Sequence, residues 1–111
     1  MKRFYKALAV VLAATTLMCY CAFAVDISYG CECTSTSSSA DSSCNVPAYI
    51  SASFGGTITY GNGATEDISG SRSYNSATSA SCSRYYNTAA TGSISSSHTI
   101  YGHGYVDWAG F

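Results

Sequence analysis

The sequence predicts an all-β domain, a small antiparallel β-sandwich or curled meander stapled by disulfides. Three observations carry this. Apolar and polar residues alternate with a period of two over residues 46–60 and again over 89–111, as strands with one dry and one wet face require. No helical periodicity occurs after residue 24, where β-branched residues and tyrosine abound. Four cysteines in a short exported chain read as a disulfide framework.

Residues 1–24 read as a secretory signal peptide and are set apart from the fold. Lys2, Arg3 and Lys6 form a basic start, and Ala7 to Met18 is an apolar run too short to span a bilayer. Ala22 and Ala24 occupy the small-residue positions of a cleavage site. Cys19 and Cys21 follow Met18 and Tyr20 rather than the small residue that lipidation needs, so both are expected to leave with the leader. The predicted mature chain, Val25–Phe111, is one small domain. A domain this size buries only about 60–65% of its unfolded surface, so its core alone is marginal.

Val25 to Tyr29 reads as a first strand, followed by Cys31-Glu32-Cys33. Thr34 to Ser43, nearly all Ser and Thr, reads as a solvated loop. Val46 to Tyr60 alternates most cleanly, with Val46, Ala48, Ile50, Ala52, Phe54, Ile58 and Tyr60 on one face. Gly55-Gly56 reads as a bulge or bend in that strand, and Gly61-Asn62-Gly63 ends it. Ala64 to Gly70 reads as a loop bearing Glu66 and Asp67. Ser71 to Tyr86 is a weakly patterned strand, and Asn87-Thr88 turns into the last stretch. There Ile94, Ile100, Val106 and Trp108 share the dry parity, and Tyr101 and Tyr105 share the wet one, with a break at Gly102-His103-Gly104. Trp108 and Ile50 are therefore expected in one core.

The four cysteines of the mature chain are Cys31, Cys33, Cys44 and Cys82. A Cys31–Cys33 bridge would close a strained ring. That leaves 31–44 with 33–82, or 31–82 with 33–44. Each bridge would add on the order of 2–4 kcal/mol. A zinc site is disfavoured by the spacing and by the oxidising compartment.

Without the leader, Arg72 and Arg84 face six acidic residues, a net charge of −4 with no lysine. Nucleic acid and anionic membrane are disfavoured as partners, because both need basic surface. No Asn-x-Ser/Thr site occurs. His98, on the apolar parity, reads as a half-buried histidine bonded to a serine or a carbonyl rather than a general base. His103 reads as a turn residue rather than a metal ligand with Asp107. Serine, histidine and aspartate are all present, but no nucleophile-elbow motif occurs. Glu66 and Asp67 lack the spacing of a calcium loop. No cofactor or metal is expected. The aromatic residues are the stronger lead. Tyr49, Tyr101 and Tyr105 fall on the wet parity, where tyrosine among hydroxyls suits stacking on sugar rings or contact with a protein.

The segment Ser93-Ile94-Ser95-Ser96-Ser97-His98-Thr99-Ile100-Tyr101-Gly102, followed by Val106-Asp107-Trp108-Ala109-Gly110-Phe111, resembles the tails of small exported β-proteins of Gram-positive bacteria. The leader ending Cys21-Ala22-Phe23-Ala24 is of the same style. The resemblance covers about a quarter of the mature chain and implies export and a β fold, with no activity attached. A second likeness is to the lactococcin family of small sandwich bacteriocins, also rich in Tyr, Ser and Gly. This chain departs from that family in having cysteines, no lysine and an acidic balance. The expectation is a secreted, non-catalytic binding or surface-interaction module for a cell-surface glycan or protein. A bacteriocin-like toxin is the alternative, and a small hydrolase is a third.

Overall fold

The computed structural model describes residues 25–111. Residues 1–24, which the sequence reading assigns to a leader with Cys19 and Cys21, lie outside the described residues. The described chain is all-β and antiparallel, in five strands: β1 (Ile27–Cys33), β2 (Ser37–Thr59), β3 (Thr65–Tyr85), β4 (Thr91–Ile100) and β5 (His103–Gly110).

β2 is the axis. β3 pairs along one of its edges for nearly its whole length, from Ser37↔Tyr85 to Thr59↔Thr65. The other edge is shared end to end. β1 takes the first part (Cys33↔Ser38 to Ile27↔Cys44), and β4 takes the second (Ile50↔Ile100 to Thr59↔Thr91). β5 then pairs with β4.

The β2–β3 ribbon bends between Ser43 and Ile50, where its register shifts twice. Pro47 lies in this corner, where a missing N–H donor is tolerated. The bend folds one half of the sheet over the other, so that β1, residues 37–44 and residues 79–85 face residues 50–59, 65–74, β4 and β5. Contacts across the fold show the closure. Ser42 Oγ donates to the Ser51 carbonyl at 2.8 Å, Tyr29 stacks on Tyr105 at 4.4 Å, and Arg84 pairs with Glu66 at 2.8 Å. Glu66 and Arg84 belong to the same strand, and only a curled ribbon brings them together.

The dry parity of β2 holds from Ser38 to Ile58. Ala40, Ile50, Ala52 and Ile58 are fully buried, with Phe54 and Cys44 nearly so. Two apolar clusters result. One gathers Phe54, Ile58, Ile68 and Ile94 with Cys33 and Cys82, and the other gathers Ile27, Tyr29, Ile50 and Ile100 with Cys44.

Several sequence expectations are corrected here. Most of the Ser/Thr stretch at 34–43 is strand, because Ser38, Ala40 and Ser42 are small enough to be buried where the two halves meet. The acidic loop at 64–70 is also strand from Thr65, paired to Thr59. Gly55-Gly56 is no bulge, since both residues keep regular register with β3 and β4. Gly56 instead permits close approach of β4: a Cβ there would lie 2.7 Å from Ile94 Cα.

The dry parity does not carry into β5. Tyr101 (φ 53°) and Gly102 (φ 81°) form a two-residue turn with both φ positive, the type I′ hairpin geometry. Ile100 then sits opposite His103. Directly opposed residues share a face, so even-numbered residues of β4 share a face with odd-numbered residues of β5. Tyr105, Asp107 and Ala109 turn inward, while Val106 and Trp108 turn outward, so Trp108 is not in the core with Ile50.

The disulfides are also corrected: no bridge joins any two of the four cysteines among the described residues. Cys31 lies opposite Ala40 and Ala40 opposite Cys82. Two strand spacings hold that pair about 10 Å apart. A disulfide tolerates no more than about 7 Å between Cα atoms. Cys44 is four residues further along β2 than Ala40, about 13 Å. No proposed pairing closes without moving a strand.

Candidate binding surface on the outer face

The outer face of residues 50–59 and their neighbours is a grid of small side chains set by register. One row runs Ser71, Ser53, Ser97, Val106, and the next runs Ser69, Gly55, Ser95, Trp108. A third runs Asp67, Thr57, Ser93, Gly110. Thr57 donates its hydroxyl to Asp67 at 3.0 Å. Trp108 and Val106 rise from this low surface, 61% and 51% exposed.

Beside them lies an open groove of about 360 Å³, lined by Ser53, Gly55, Ser95, Ser97, Val106 and Trp108 with parts of Phe54 and Ser96. None of the lining residues is ionisable. Asp107, next in sequence to Trp108, turns inward and is buried, and its carboxylate accepts the Trp108 backbone N–H at 2.9 Å. That bond holds the backbone that presents the indole.

Of the three predicted tyrosines, Tyr105 is separated from Tyr49 and Tyr101. Tyr49 and Tyr101 are exposed, at 47% and 41%. One step beyond the Ile50↔Ile100 pair, they flank the open end of the β2–β4 ladder. Tyr105 faces inward instead, stacked on Tyr29. Burial, then the neighbouring Tyr29 and Cys44, push its hydroxyl above the usual tyrosine range. The parity inversion at the two-residue turn removes it from the wet face and puts Trp108 there.

His98 is more buried than its sequence suggests, at 2% exposure, and is bonded to two serines. Nδ1 lies 2.8 Å from Ser42 Oγ and Nε2 lies 2.8 Å from Ser96 Oγ. A hydroxyl has one proton to give. Ser42 gives its proton to the Ser51 carbonyl, so it accepts from Nδ1–H. Ser96 Oγ, beside Nε2, also donates to the Asp107 carbonyl at 3.3 Å. Ser42 comes from one half of the fold, His98 and Ser96 from the other, so the ring bridges the two halves. His103 is exposed at the start of β5, apart from the buried Asp107.

Sequence reasoning missed Trp108, Val106 and Gly55 as surface features. The signal that would have found the first two is the Tyr101-Gly102 pair, read as a two-residue turn.

No protein-family profile matches the sequence, and no curated protein does. Among solved structures, the chain is similar to an alkylpurine DNA glycosylase of Pseudomonas fluorescens bound to DNA containing an abasic site analogue. The identity is 9% and the TM-score 0.29, over 94% of this chain and 35% of that one. A likeness at that score carries no argument.

Proposed function

We propose that the chain is an exported, non-catalytic binding module that uses its outer sheet face to contact a cell-surface glycan or protein. The observation that carries the reading is Trp108, a large aromatic held 61% exposed on a strand beside an open groove. Exposed aromatics on a rigid element favour contact, because they offer apolar area with little side-chain entropy to lose. Export rests on the leader-like residues 1–24. Three of the four thiols are buried, which suits passage through an oxidising compartment, since oxidants reach buried thiols slowly. The absence of catalysis is supported by His98. It lies in the core with both ring nitrogens against serine hydroxyls. A general base needs a free nitrogen facing substrate. The acidic balance speaks against a bacteriocin-like toxin that acts on anionic surfaces.

The test is retention of purified protein on cell-surface material, compared with Trp108→Ala. Loss of retention in the variant with an unchanged thermal midpoint supports the reading. Equal retention of both proteins, or none of either, overturns it.

A further inference from the structure

We infer that the groove beside Trp108 is a site for a neutral pyranose sugar within an oligosaccharide, a narrowing that rests on the binding-module reading above. Its shape, lining and charge point the same way. The volume of about 360 Å³ falls at the lower end of small-ligand sites, which span about 300–1,000 Å³. One wall is the exposed indole of Trp108 with Val106 beside it. A pyranose ring has an apolar C–H face that stacks on such a surface. Around that wall, Ser53, Ser95 and Ser97 supply hydroxyls that both donate and accept, matching the sugar's own hydroxyls. No lining residue carries a charge, on a mature chain of net −4, so nothing compensates a uronate, phosphate or ammonium group.

Gly55 supplies an independent argument. Of the strand glycines, Gly56, Gly70, Gly92 and Gly110 have a packing reason, while Gly104, like Gly55, has none. A Cβ on Gly56 would strike the β4 backbone, one on Gly70 would lie 2.7 Å from the Phe54 ring, and one on Gly110 would lie 2.8 Å from the Gly92 carbonyl. A Cβ on Gly55 would meet only the Ile68 carbonyl, at 4.0 Å, and its φ is not in the left-handed region. Glycine weakens a strand interior, and here neither packing nor backbone conformation requires it. Its missing side chain instead leaves the floor of the groove empty, in the same row as Ser95 and Trp108.

The experiment uses the emission of Trp108, the chain's single tryptophan, as the reporter. Purified protein is titrated with cellohexaose and chitohexaose as neutral probes and with tetragalacturonate as the charged control. A saturable change with at least one neutral probe, and none with the control, is the expected result. Gly55→Val should weaken binding at least tenfold while leaving the thermal midpoint equal or higher, because valine suits a strand. Trp108→Ala, followed by calorimetry, should weaken it at least as much. Wild-type affinity in Gly55→Val, or no response to either neutral probe, overturns the inference. If the probes fail but the protein is still retained on cell-surface material, and protease treatment of that material abolishes retention, the ligand is a protein and the binding-module reading survives. If nothing retains the protein, both fall.

Discussion

Trp108 and Ile50 show how strongly the two faces differ at the level of single residues. Ile50 is fully buried, and its replacement by alanine should cost about 2–5 kcal/mol in denaturant unfolding. Trp108→Ala should cost less than about 1 kcal/mol, because an exposed side chain leaves no cavity. In the native protein, acrylamide should quench the Trp108 emission almost completely. A shielded signal would return the residue to the core. The hydroxyl of Ser42 has a larger role than its size suggests. Ser42→Ala removes the acceptor for His98 Nδ1–H and should cost about 1–3 kcal/mol, the desolvation penalty of a buried donor left unpaired. Ser42→Thr, which keeps the hydroxyl, should lose less if the methyl is accommodated.

Among the elements, the β4–β5 turn decides which residues face water. Gly102 sits at φ 81°, so Gly102→Ala should lower stability by about 1 kcal/mol. Tyr101→Asn should raise it by a few tenths of a kcal/mol or more, since asparagine accepts positive φ better than tyrosine. Thermal midpoints check both. The turn also marks where sequence reading works and where it stops. Alternation located the dry face of β2 residue by residue, because period two is a local property of one strand. It cannot cross the turn, where one residue of loop length reverses every later position, so alternation alone puts Val106, Trp108 and Tyr105 on the opposite faces from those they occupy. Burial of Ser38, Ala40 and Ser42 was also hidden, since small polar residues resemble a loop until a second layer covers them. The candidate surface was legible only as a principle, aromatic residues among hydroxyls. The residues that realise it depend on register.

For the molecule as a whole, the interior should lose stability in base. Burial raises the Tyr29, Tyr86, Tyr105 and Cys82 groups above their ordinary values of 10.0 for tyrosine and 9.0 for cysteine, with Asp107 adding to the effect at Tyr29. A group whose folded pKa is raised binds its proton more tightly in the native state. Its contribution is complete below the unfolded value and is lost as pH rises through the folded one. The thermal midpoint should therefore fall as pH climbs above about 9, whereas a midpoint flat to pH 11 would contradict this account. The same burial should hide the thiols. An aromatic disulfide reagent should label the half-exposed Cys31 first, and all four thiols only after denaturation.

The tandem seating of β1 and β4 on one edge of β2 also sets an order of assembly. As the chain emerges from its N-terminus, the β2–β3 ribbon is completed by Tyr85, but the second half of β2 still lacks a neighbour on its other edge. Ile50, Ile58 and the wedge position filled by His98 stay uncovered until Ile100 has appeared. The segment from Thr91 to Phe111 should thus act as a latch on the strands before it. A chain ending at residue 90 should stay unfolded and sensitive to protease, while the complete chain closes in one cooperative step once its final hairpin arrives.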